Sequence, residues 1–498
     1  MTFLSPLYAL FLVILLIIYW SVRSRFRRSV ILLIFSVAFY LLTPLHQWYY
    51  FPLLMILTIV NYIITQRMGI NSDSAKKAQD HNLSNEEWQI TQSFWNVWRL
   101  QILIIGISLN VLILLAFKYA TFLLKLTSEQ INISITMPLG LSFFAFECIA
   151  YLVDVYRGAP IPKNIIDFAA YKLFFPKLIS GPITRYHHFA GEYENLKFPK
   201  INQITEGVWL IACGAVKKGL LADNFGKVVD LIFANTNLQR AGSIDLWIGI
   251  LAYGLQLYLD FSGYVDMARG SAILLGFNLP ENFNFPYFTT NIAEFWRRWH
   301  ITLGDWLRNY VYFPLGGSRK GLIRTCINLL IIMLIAGIWH GSSWGYVFWG
   351  ALHGIALIIH RLNEALSQHF TFLKRLWSSF LGVLSAWLIT QFMIFISWIF
   401  FRLPNFKDSM YVIEHLWGHN GDIQFAQKVY EEAIMLSPLQ LTLIMVIVII
   451  LMGFAYILQR GLKLQLNWPI KLLLAPICLY AVWLLSPEDS LPYIYFDF

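Results

Sequence analysis

The residues of this chain whose types and spacing could support catalysis lie between positions 294 and 354. There His300 follows the run Trp-Arg-Arg-Trp, and His340 ends the apolar run Leu-Ile-Ala-Gly-Ile-Trp. Histidine and arginine are expensive at membrane depth, so a sequence this apolar normally retains them only where they bind or react. We therefore expect the chemistry of the chain in this region.

His340 is the first candidate for catalysis. Burial disfavours an imidazolium, so a neutral His340 could accept the proton of a hydroxyl group that attacks an acyl carbon. Gly341 and Ser342 follow it, which allows close approach to the backbone. The residues alone leave the alternative open that His340 is a structural histidine, hydrogen-bonded to a neighbouring carbonyl or serine.

A second candidate site surrounds His300. Its basic and indole side chains are Trp296, Arg297, Arg298, Trp299, Arg308 and Trp339. Arginines between tryptophans can bind phosphate while the indoles stack or lie at the membrane interface. The same pattern also fits a plain interfacial anchor, in which the arginines reach the lipid headgroups. The further arginines of this segment favour an anionic ligand.

A third constellation lies at 258–269, where Asp260 and Ser262 could orient a histidine or bind a polar substrate. The alternative is a buried Asp266–Arg269 network that holds broken helices together, which we favour for those two residues. No His, Asp and Glu set has metal-ligand spacing on one helix face. A glycine-rich phosphate loop and a serine nucleophile elbow are also missing. We therefore expect no metal and no bound cofactor.

The elements that must position these residues are apolar helices. The chain is 58% hydrophobic and only 13% charged, whereas a soluble domain carries about 25% charged residues. We therefore expect an all-α polytopic membrane protein with about a dozen spanning, re-entrant and half-helices. The candidate segments are 3–20, 30–42, 48–64, 100–124, 137–156, 207–221, 246–259, 322–339, 344–360, 380–400, 439–457 and 470–485.

Two stretches, 161–195 and 278–318, mix Pro, Gly, basic and aromatic residues and predict broken, polar-lined backbone. We interpret 1–498 as one membrane domain. It has N-terminal helices at 1–130, a motif-bearing core at 131–360, and C-terminal helices with an aromatic tail at 361–498. The polar stretch 67–99 is interpreted as a cytoplasmic loop, and 403–437 as a cap over one face.

Charge and cysteine content exclude several classes of protein. The net charge is +9, but no basic domain stands outside the apolar segments, so we expect no nucleic-acid partner. The basic residues instead hold cytoplasmic loops in place and meet lipid headgroups. The arginines at 23–28 follow the first apolar segment, which indicates a retained anchor with its N-terminus outside the cytoplasm. Four widely spaced cysteines argue against a zinc site or a disulfide scaffold.

Motifs along most of the chain resemble the membrane-bound O-acyltransferase family, and in particular its bacterial branch that O-acetylates alginate or peptidoglycan. The matching segments are 116–119, 138–143, 151–158, 180–183, 258–267, 275–283, 295–300, 339–341 and 493–498. The resemblance implies a helical bundle around a central tunnel, with His340 as the essential histidine and His300 as the second. It moves the balance for His340 from structure to catalysis.

The resemblance also implies substrates and partners. The family takes an acyl group from a cytoplasmic coenzyme A thioester, here expected to be acetyl-CoA, and passes it to an acceptor on the far face. We therefore expect a multi-pass protein of the bacterial inner membrane that acts on an extracytoplasmic polysaccharide. A periplasmic SGNH-like acetyltransferase is the expected partner. Lipid or protein acceptors, and a transporter without acyltransferase activity, are the alternatives, although no inverted repeat is visible.

The resemblance suggests a further catalytic residue near the C-terminus. A related D-alanylation system uses an aromatic C-terminal peptide whose tyrosine is thought to carry the acyl group, and Tyr495 could do the same here. Interfacial anchoring is the alternative. Two positions depart from the family: Asn309 replaces a frequent Asp, and Glu147 replaces an uncharged polar residue. A buried Glu147 without a partner would be protonated near neutral pH.

Overall fold

The computed structural model describes residues 1–43, 48–79, 85–127, 136–487 and 491–494, and within these ranges the chain contains helices and no β-strand. The α-helices, in chain order, are α1 (Pro6–Ser21), α2 (Arg25–Leu41), α3 (Phe51–Gln79), α4 (Asn85–Thr127), α5 (Leu141–Tyr156), α6 (Ile165–Lys172), α7 (Phe175–Leu178), α8 (Tyr186–Glu194), α9 (Ile201–Ala215), α10 (Asp223–Ile232), α11 (Asn235–Leu238), α12 (Ser243–Leu274), α13 (Ile292–Arg298), α14 (Ile301–Leu307), α15 (Gly321–His340), α16 (Trp344–His369), α17 (Thr371–Ser378), α18 (Phe380–Arg402), α19 (Phe406–Glu414), α20 (Ile423–Ala426), α21 (Pro438–Tyr456) and α22 (Trp468–Leu485). The 3-10 turns are Trp48–Tyr50 and Pro286–Phe288, and the π-helical turns are Val216–Ala222, Arg308–Tyr312, Gln427–Ile434 and Ile457–Gly461.

Several of these helices suit a lipid bilayer. In the described part of the chain, 7 are long and apolar enough to cross a membrane: Trp48–Gly69, Asn96–Ala120, Ser243–Leu274, Gly321–His340, Phe380–Arg402, Pro438–Gly461 and Trp468–Leu485. Their outward side chains are apolar, as in Leu473 and Trp483, which are 69% and 74% exposed. Lipid accepts such surface, whereas water does not. Each of the twelve predicted segments overlaps a helix, and the all-α polytopic prediction is confirmed.

The stretch 67–99, interpreted as a cytoplasmic loop, is helical over its described residues, and its cytoplasmic location stays a prediction. Helix α3 continues to Gln79 and α4 begins at Asn85, so helix extends into this polar stretch from both sides. Its Ala, Lys, Glu and Gln residues are good helix formers, which lets helices continue beyond their apolar part. Hydropathy marks where a helix can meet lipid, and it does not mark where the helix ends.

The chain forms two compact units. The first contains Met1–Val208 and Met267–Pro280, and the second contains Trp209–Asp266 and the described residues from Glu281 onward. The candidate catalytic histidines all belong to the second unit. The division of the chain at 130 and 360 stays a prediction.

The first unit is held together by a buried ionic cluster around Glu147. Its carboxylate accepts hydrogen bonds from Lys177 at 2.7 Å, from Lys172 at 3.2 Å, and from the backbone N–H and hydroxyl of Thr184 at 3.0 and 3.1 Å. The backbone breaks predicted within 161–195 are present, because this stretch forms the three short helices α6, α7 and α8. These breaks allow both lysines and the threonine to reach one carboxylate.

Glu147→Gln is expected to lower the free energy of unfolding by about 3–5 kcal/mol, because it leaves two buried ammonium groups without their counter-charge. Thermal unfolding in detergent micelles would measure the change. Glu194→Gln, at an exposed position at the end of α8, is the matched control and should unfold like the wild type. Equal stability of the two variants would contradict the inferred role of the cluster.

In the second unit, α15 and α16 form a closely packed antiparallel hairpin. A Cβ on Gly337 would lie 2.4 Å from the carbonyl oxygen of Tyr346, and one on Gly350 would lie 2.5 Å from that of Met333. Only glycine permits this approach, because any larger side chain would overlap the facing backbone. The hairpin therefore fixes the end of α15, which carries His340, against the first turns of α16.

Candidate functional site

His340 is the last residue of α15 and is only 4% exposed. Its ring lies 4.7 Å from the ring of Trp339, 5.2 Å from that of Trp349 and 4.7 Å from that of Phe401, measured between centroids. Tyr346 closes the group at 6.3 Å. This aromatic enclosure shields the imidazole from water, as acyl transfer to anything other than water requires.

The turn after His340 is anchored to α18. The N–H of Gly345 donates to the carbonyl of Pro404 at 3.1 Å, and the hydroxyl of Ser343 donates to the same oxygen. Pro404 follows the end of α18 at Arg402. The turn 341–343 is therefore tied to a second helix, and the imidazole has a fixed position at the helix end.

His300 lies in a strained turn between α13 and α14. Its φ is +44° and its ψ is +54°, a left-handed conformation that is uncommon for residues other than glycine. The side-chain oxygen of the buried Asn282 accepts hydrogen bonds from the N–H and the hydroxyl of Thr302 at 3.0 and 2.7 Å. The backbone carbonyl of Asn282 accepts a third hydrogen bond from the N–H of Ile301 at 3.0 Å. These three bonds hold the turn, and strain maintained in this way is characteristic of functional positions.

The two predicted catalytic histidines meet at one indole. The ring of His300 lies 6.4 Å from the ring of Trp339, which also borders His340 at 4.7 Å. Phe261 packs edge-on against His300 at 4.8 Å, and His300 is only 1% exposed. Burial lowers the pKa of His300 to about 3, so the ring is neutral at physiological pH.

This pKa shift predicts a pH-dependent contribution of His300 to stability. The unfolded chain binds a proton on His300 below about pH 6.5, whereas the folded chain does so only near pH 3, so stability present above pH 6.5 is lost as the pH falls. At pH 5 the free energy of unfolding is expected to be lower by about 2 kcal/mol than above pH 6.5, because of His300 alone. Thermal midpoints at pH 7 and pH 5 are expected to differ less in His300→Asn than in the wild type. An unchanged difference would contradict the neutral buried state.

The predicted phosphate-binding cluster is dispersed by the fold. Arg298 pairs with Glu294 one turn earlier. Trp299 is buried in the core, with its ring 5.0 Å from that of Trp398. Arg308 forms an exposed ion pair with Asp305 at 2.7 Å. Of the predicted arginines, these two are therefore engaged by carboxylates of their own segment.

Arg297 instead lines a cavity of about 420 Å³. The lining residues are Asn291, Ala293, Glu294, Arg297, Tyr312, Ser318, Thr325, Leu329, Leu357, His360, Arg361 and Glu364. Arg361 pairs with Glu364 at 2.7 Å, whereas Arg297 has no ion pair with any described residue. The cavity therefore offers an arginine whose charge is available to an anionic ligand, next to a histidine.

Asp260 anchors the C-terminal tail. Its carboxylate accepts from Lys218 at 2.5 Å and from the backbone N–H of Ile494 at 3.0 Å. Lys218 also pairs with Asp223 at 2.8 Å and donates to the carbonyl of Pro492 at 3.3 Å. Burial raises the pKa of Asp223 to about 6, against the opposing effect of Lys218. Tyr495 itself lies outside the described residues.

Asp266 and Arg269, which we favour as part of a structural network, each have a structural partner. Asp266 pairs with Lys217 at 2.6 Å, and the Nε–H of Arg269 donates to the carbonyl of Leu279 at 3.3 Å. Ser262 lies one residue beyond Phe261 on α12 and is fully buried. No described residue hydrogen-bonds to its hydroxyl.

Two residues at this site were missed by the sequence analysis. His353 is fully buried on α16, with its ring 4.9 Å from that of Trp349. Its spacing gave a usable signal, because Trp349, His353 and Leu357 share one helix face at intervals of four. Lys218 gave none, because its partner Asp260 is 42 residues away. Among the described residues, no group of three His, Cys, Asp or Glu side chains could hold a metal ion.

The chain is similar to known acyltransferases. The sequence pattern of the membrane-bound O-acyltransferase family matches residues 81–401, a range that contains His300 and His340. A "Probable alginate O-acetylase" from Pseudomonas aeruginosa is 36% identical over 430 residues, 82% of this chain and 73% of the relative. A "Peptidoglycan O-acetyltransferase" from Helicobacter pylori is 36% identical over 367 residues, 67% and 68% of the two chains. A "Teichoic acid D-alanyltransferase" from Bacillus subtilis is 27% identical over 263 residues, 49% and 64% of the two chains.

Proposed function

Because the chain belongs to the membrane-bound O-acyltransferase family, we propose that it moves an acetyl group from cytoplasmic acetyl-CoA through the membrane for the O-acetylation of an extracytoplasmic polysaccharide. That it is an acyltransferase follows from the family and from its relatives, and this favours the enzyme over the transporter alternative. The observation that carries the proposal is the pair of buried histidines, His300 and His340, that border one indole, Trp339.

The chemistry follows from a neutral imidazole inside a water-poor enclosure. In the proposed step, a hydroxyl oxygen attacks the carbonyl carbon of the thioester while His340 takes the hydroxyl proton. The carbon–sulfur bond then breaks, and the thiolate leaves with the proton that the imidazolium returns. The neutral His300 can serve as a second hydrogen-bonding group beside Trp339. The products are an ester and free coenzyme A, so atoms and charge balance.

The cavity beside α16 is the proposed binding site for the phosphate groups of acetyl-CoA. Arg297 can bind phosphate, because its guanidinium is not engaged by a carboxylate and its planar fork matches phosphate oxygens. Trp296 precedes the cavity residue Arg297 in α13, and Trp339 borders the two histidines. We assign a supporting role to Arg298, Trp299 and Arg308, which hold this segment in place. Coenzyme A is a substrate in this scheme and not a bound cofactor.

The acceptor is proposed from the relatives, whose names specify alginate and peptidoglycan. A polysaccharide cannot enter the membrane, so an SGNH-like extracytoplasmic acetyltransferase is the proposed partner that receives the acetyl group. Tyr495 is proposed to carry the group between them. In a bacterium these steps require the inner membrane, because that membrane separates acetyl-CoA from the cell-envelope glycans.

The proposal can be tested by measuring acetyl transfer across the membrane of proteoliposomes that contain the protein. Acetyl-labelled acetyl-CoA is added outside, and the SGNH partner and alginate or peptidoglycan fragments are enclosed inside. We expect free coenzyme A to be released outside and base-labile acetyl label to appear on the enclosed glycan. Acetyl label found in lipid or protein would show that the acceptor is one of these and not the polysaccharide. Intact acetyl-CoA inside the vesicles, without thiol release, would indicate transport and overturn the proposal.

A further inference from the structure

The side chain of His353 has a defined tautomer. Its Nε2 lies 2.8 Å from the hydroxyl oxygen of Ser397, and this hydroxyl donates its proton to the carbonyl of Ile394 at 2.6 Å. A serine has only one hydroxyl proton, so Nε2 must be the donor in the first bond. The other ring nitrogen, Nδ1, therefore presents a lone pair and acts as an acceptor.

Three indole rings surround this imidazole. Trp349 lies at 4.9 Å, Trp296 at 5.2 Å and Trp398 at 6.3 Å from His353, measured between ring centroids. Within these four rings, Nδ1 of His353 and Nε1 of Trp296, Trp349 and Trp398 are buried and receive no hydrogen-bond partner from the described residues. Leaving such a buried donor or acceptor without a hydrogen bond is costly. One acceptor and three donors thus belong to one set of packed aromatic rings.

This combination selects the chemistry of the occupant. A carbonyl oxygen can accept from the indoles but cannot donate to Nδ1, and an ammonium group can donate but cannot accept. A hydroxyl group does both, because it has one proton and two lone pairs. We propose that His353, with the indoles of Trp296, Trp349 and Trp398, forms a binding site for an O–H group, supplied by water or by a small alcohol.

The proposed hydroxyl-binding site lies close to the candidate base His340. Trp349 borders His353 at 4.9 Å and His340 at 5.2 Å, so a bound hydroxyl is one aromatic ring away from the candidate base. One turn further along α16, Leu357 lines the cavity that contains Arg297. The site therefore lies between the cavity and His340 along one helix face. Its existence does not depend on the proposed acyl transfer.

Solid-state NMR on protein labelled with 15N-histidine in lipid vesicles would test the site. Expected is a His353 signal from the tautomer protonated at Nε2, with Nδ1 receiving polarisation from the protons of water or of added 13C-labelled methanol. Transfer from water alone identifies water as the occupant, whereas a methanol contact identifies an alcohol site. His353→Phe assigns the signal by its loss, and His353→Gln serves if the phenylalanine variant does not fold.

Two outcomes would overturn the proposal. One is a His353 ring protonated at Nδ1, because it would then lack the acceptor that the hydroxyl needs. The other is an Nδ1 signal that receives no polarisation from either water or methanol. Ser397→Ala is the matched perturbation: without the serine oxygen, the Nε2 tautomer loses its acceptor and a mixture of both tautomers is expected. None of these readouts requires the chain to be active.

Discussion

Replacing His340 by alanine is expected to reduce acetyl transfer by about 10³-fold, since loss of a general base costs about 10²–10⁴-fold and this residue is the proposed base of the step that breaks the thioester. The ring is bordered by Trp339, Trp349 and Phe401, with Tyr346 further out. Water and dissolved bases have little access to this enclosure, so we expect little residual activity in the alanine variant. The measurement is ester content of the cell-envelope glycan in a deletion strain complemented with each variant.

The controls separate chemistry from folding. His369→Ala changes an exposed histidine at the end of α16 and should leave ester content unchanged. His340→Gln keeps a hydrogen-bonding side chain of similar size but cannot take a proton, so it should be as inactive as the alanine variant. All variants are compared at equal amounts of membrane-inserted protein. Normal ester content with His340→Ala at that level would remove the central assignment.

How much of this site the sequence can predict depends on the distance over which each residue acts. The helices follow from long apolar runs, and His340 stands out because it ends one of them. The family resemblance predicts that His300 and His340 are both functional, but it does not predict that both border Trp339. The spacing of forty residues between them says nothing about their contact. The left-handed turn at His300 depends on Asn282, a partner 20 residues away from Thr302.

The arginine motif shows that residues adjacent in sequence can have different surroundings in the structure. Arg297 and Arg298 are adjacent, but successive residues of a helix point about 100° apart. One therefore lines the cavity and the other pairs with Glu294. Trp299 ends the helix and turns into the core. A basic and aromatic run predicts that an anion could bind, but only the helix phase decides which side chain is available for it.

Charged residues in apolar segments have partners that are remote in sequence. Glu147 was considered as a carboxyl without a partner, whereas Lys172 and Lys177 reach it from 25 and 30 residues away. Asp260 was considered for substrate binding, whereas Lys218 and the tail occupy its carboxylate. A buried charge needs a partner, whichever part of the chain supplies it. The sequence could not indicate which of several remote lysines supplies it.

The tail anchored by Asp260 leads to the second large effect, a loss of at least about 10³-fold in glycan acetylation for Tyr495→Phe. In the proposed relay, the phenol oxygen of Tyr495 takes the acetyl group from the thioester as His340 removes its proton, and an acceptor hydroxyl then takes the group from the tyrosine ester. Phenylalanine keeps the ring but has no oxygen to acylate. Mass spectrometry should find acetylated Tyr495 in wild type held without acceptor, and none in His340→Ala.

The anchor makes this prediction more specific than a test of one hydroxyl. Pro492 and Ile494 are bound through their backbone to Lys218 and Asp260, so the three residues before Tyr495 are held whatever its own side chain does. Tyr495→Phe should therefore retain a normal tail. Asp260→Asn removes one of the two carboxylates that pair with Lys218 and weakens the acceptor for the N–H of Ile494, so it should loosen the tail and lower transfer about tenfold, at a cost near 1.4 kcal/mol. Tyr480→Phe, exposed on α22, is the matched control with full activity. Full activity of Tyr495→Phe would leave the tail an anchor alone and return the acyl group to direct transfer at His340.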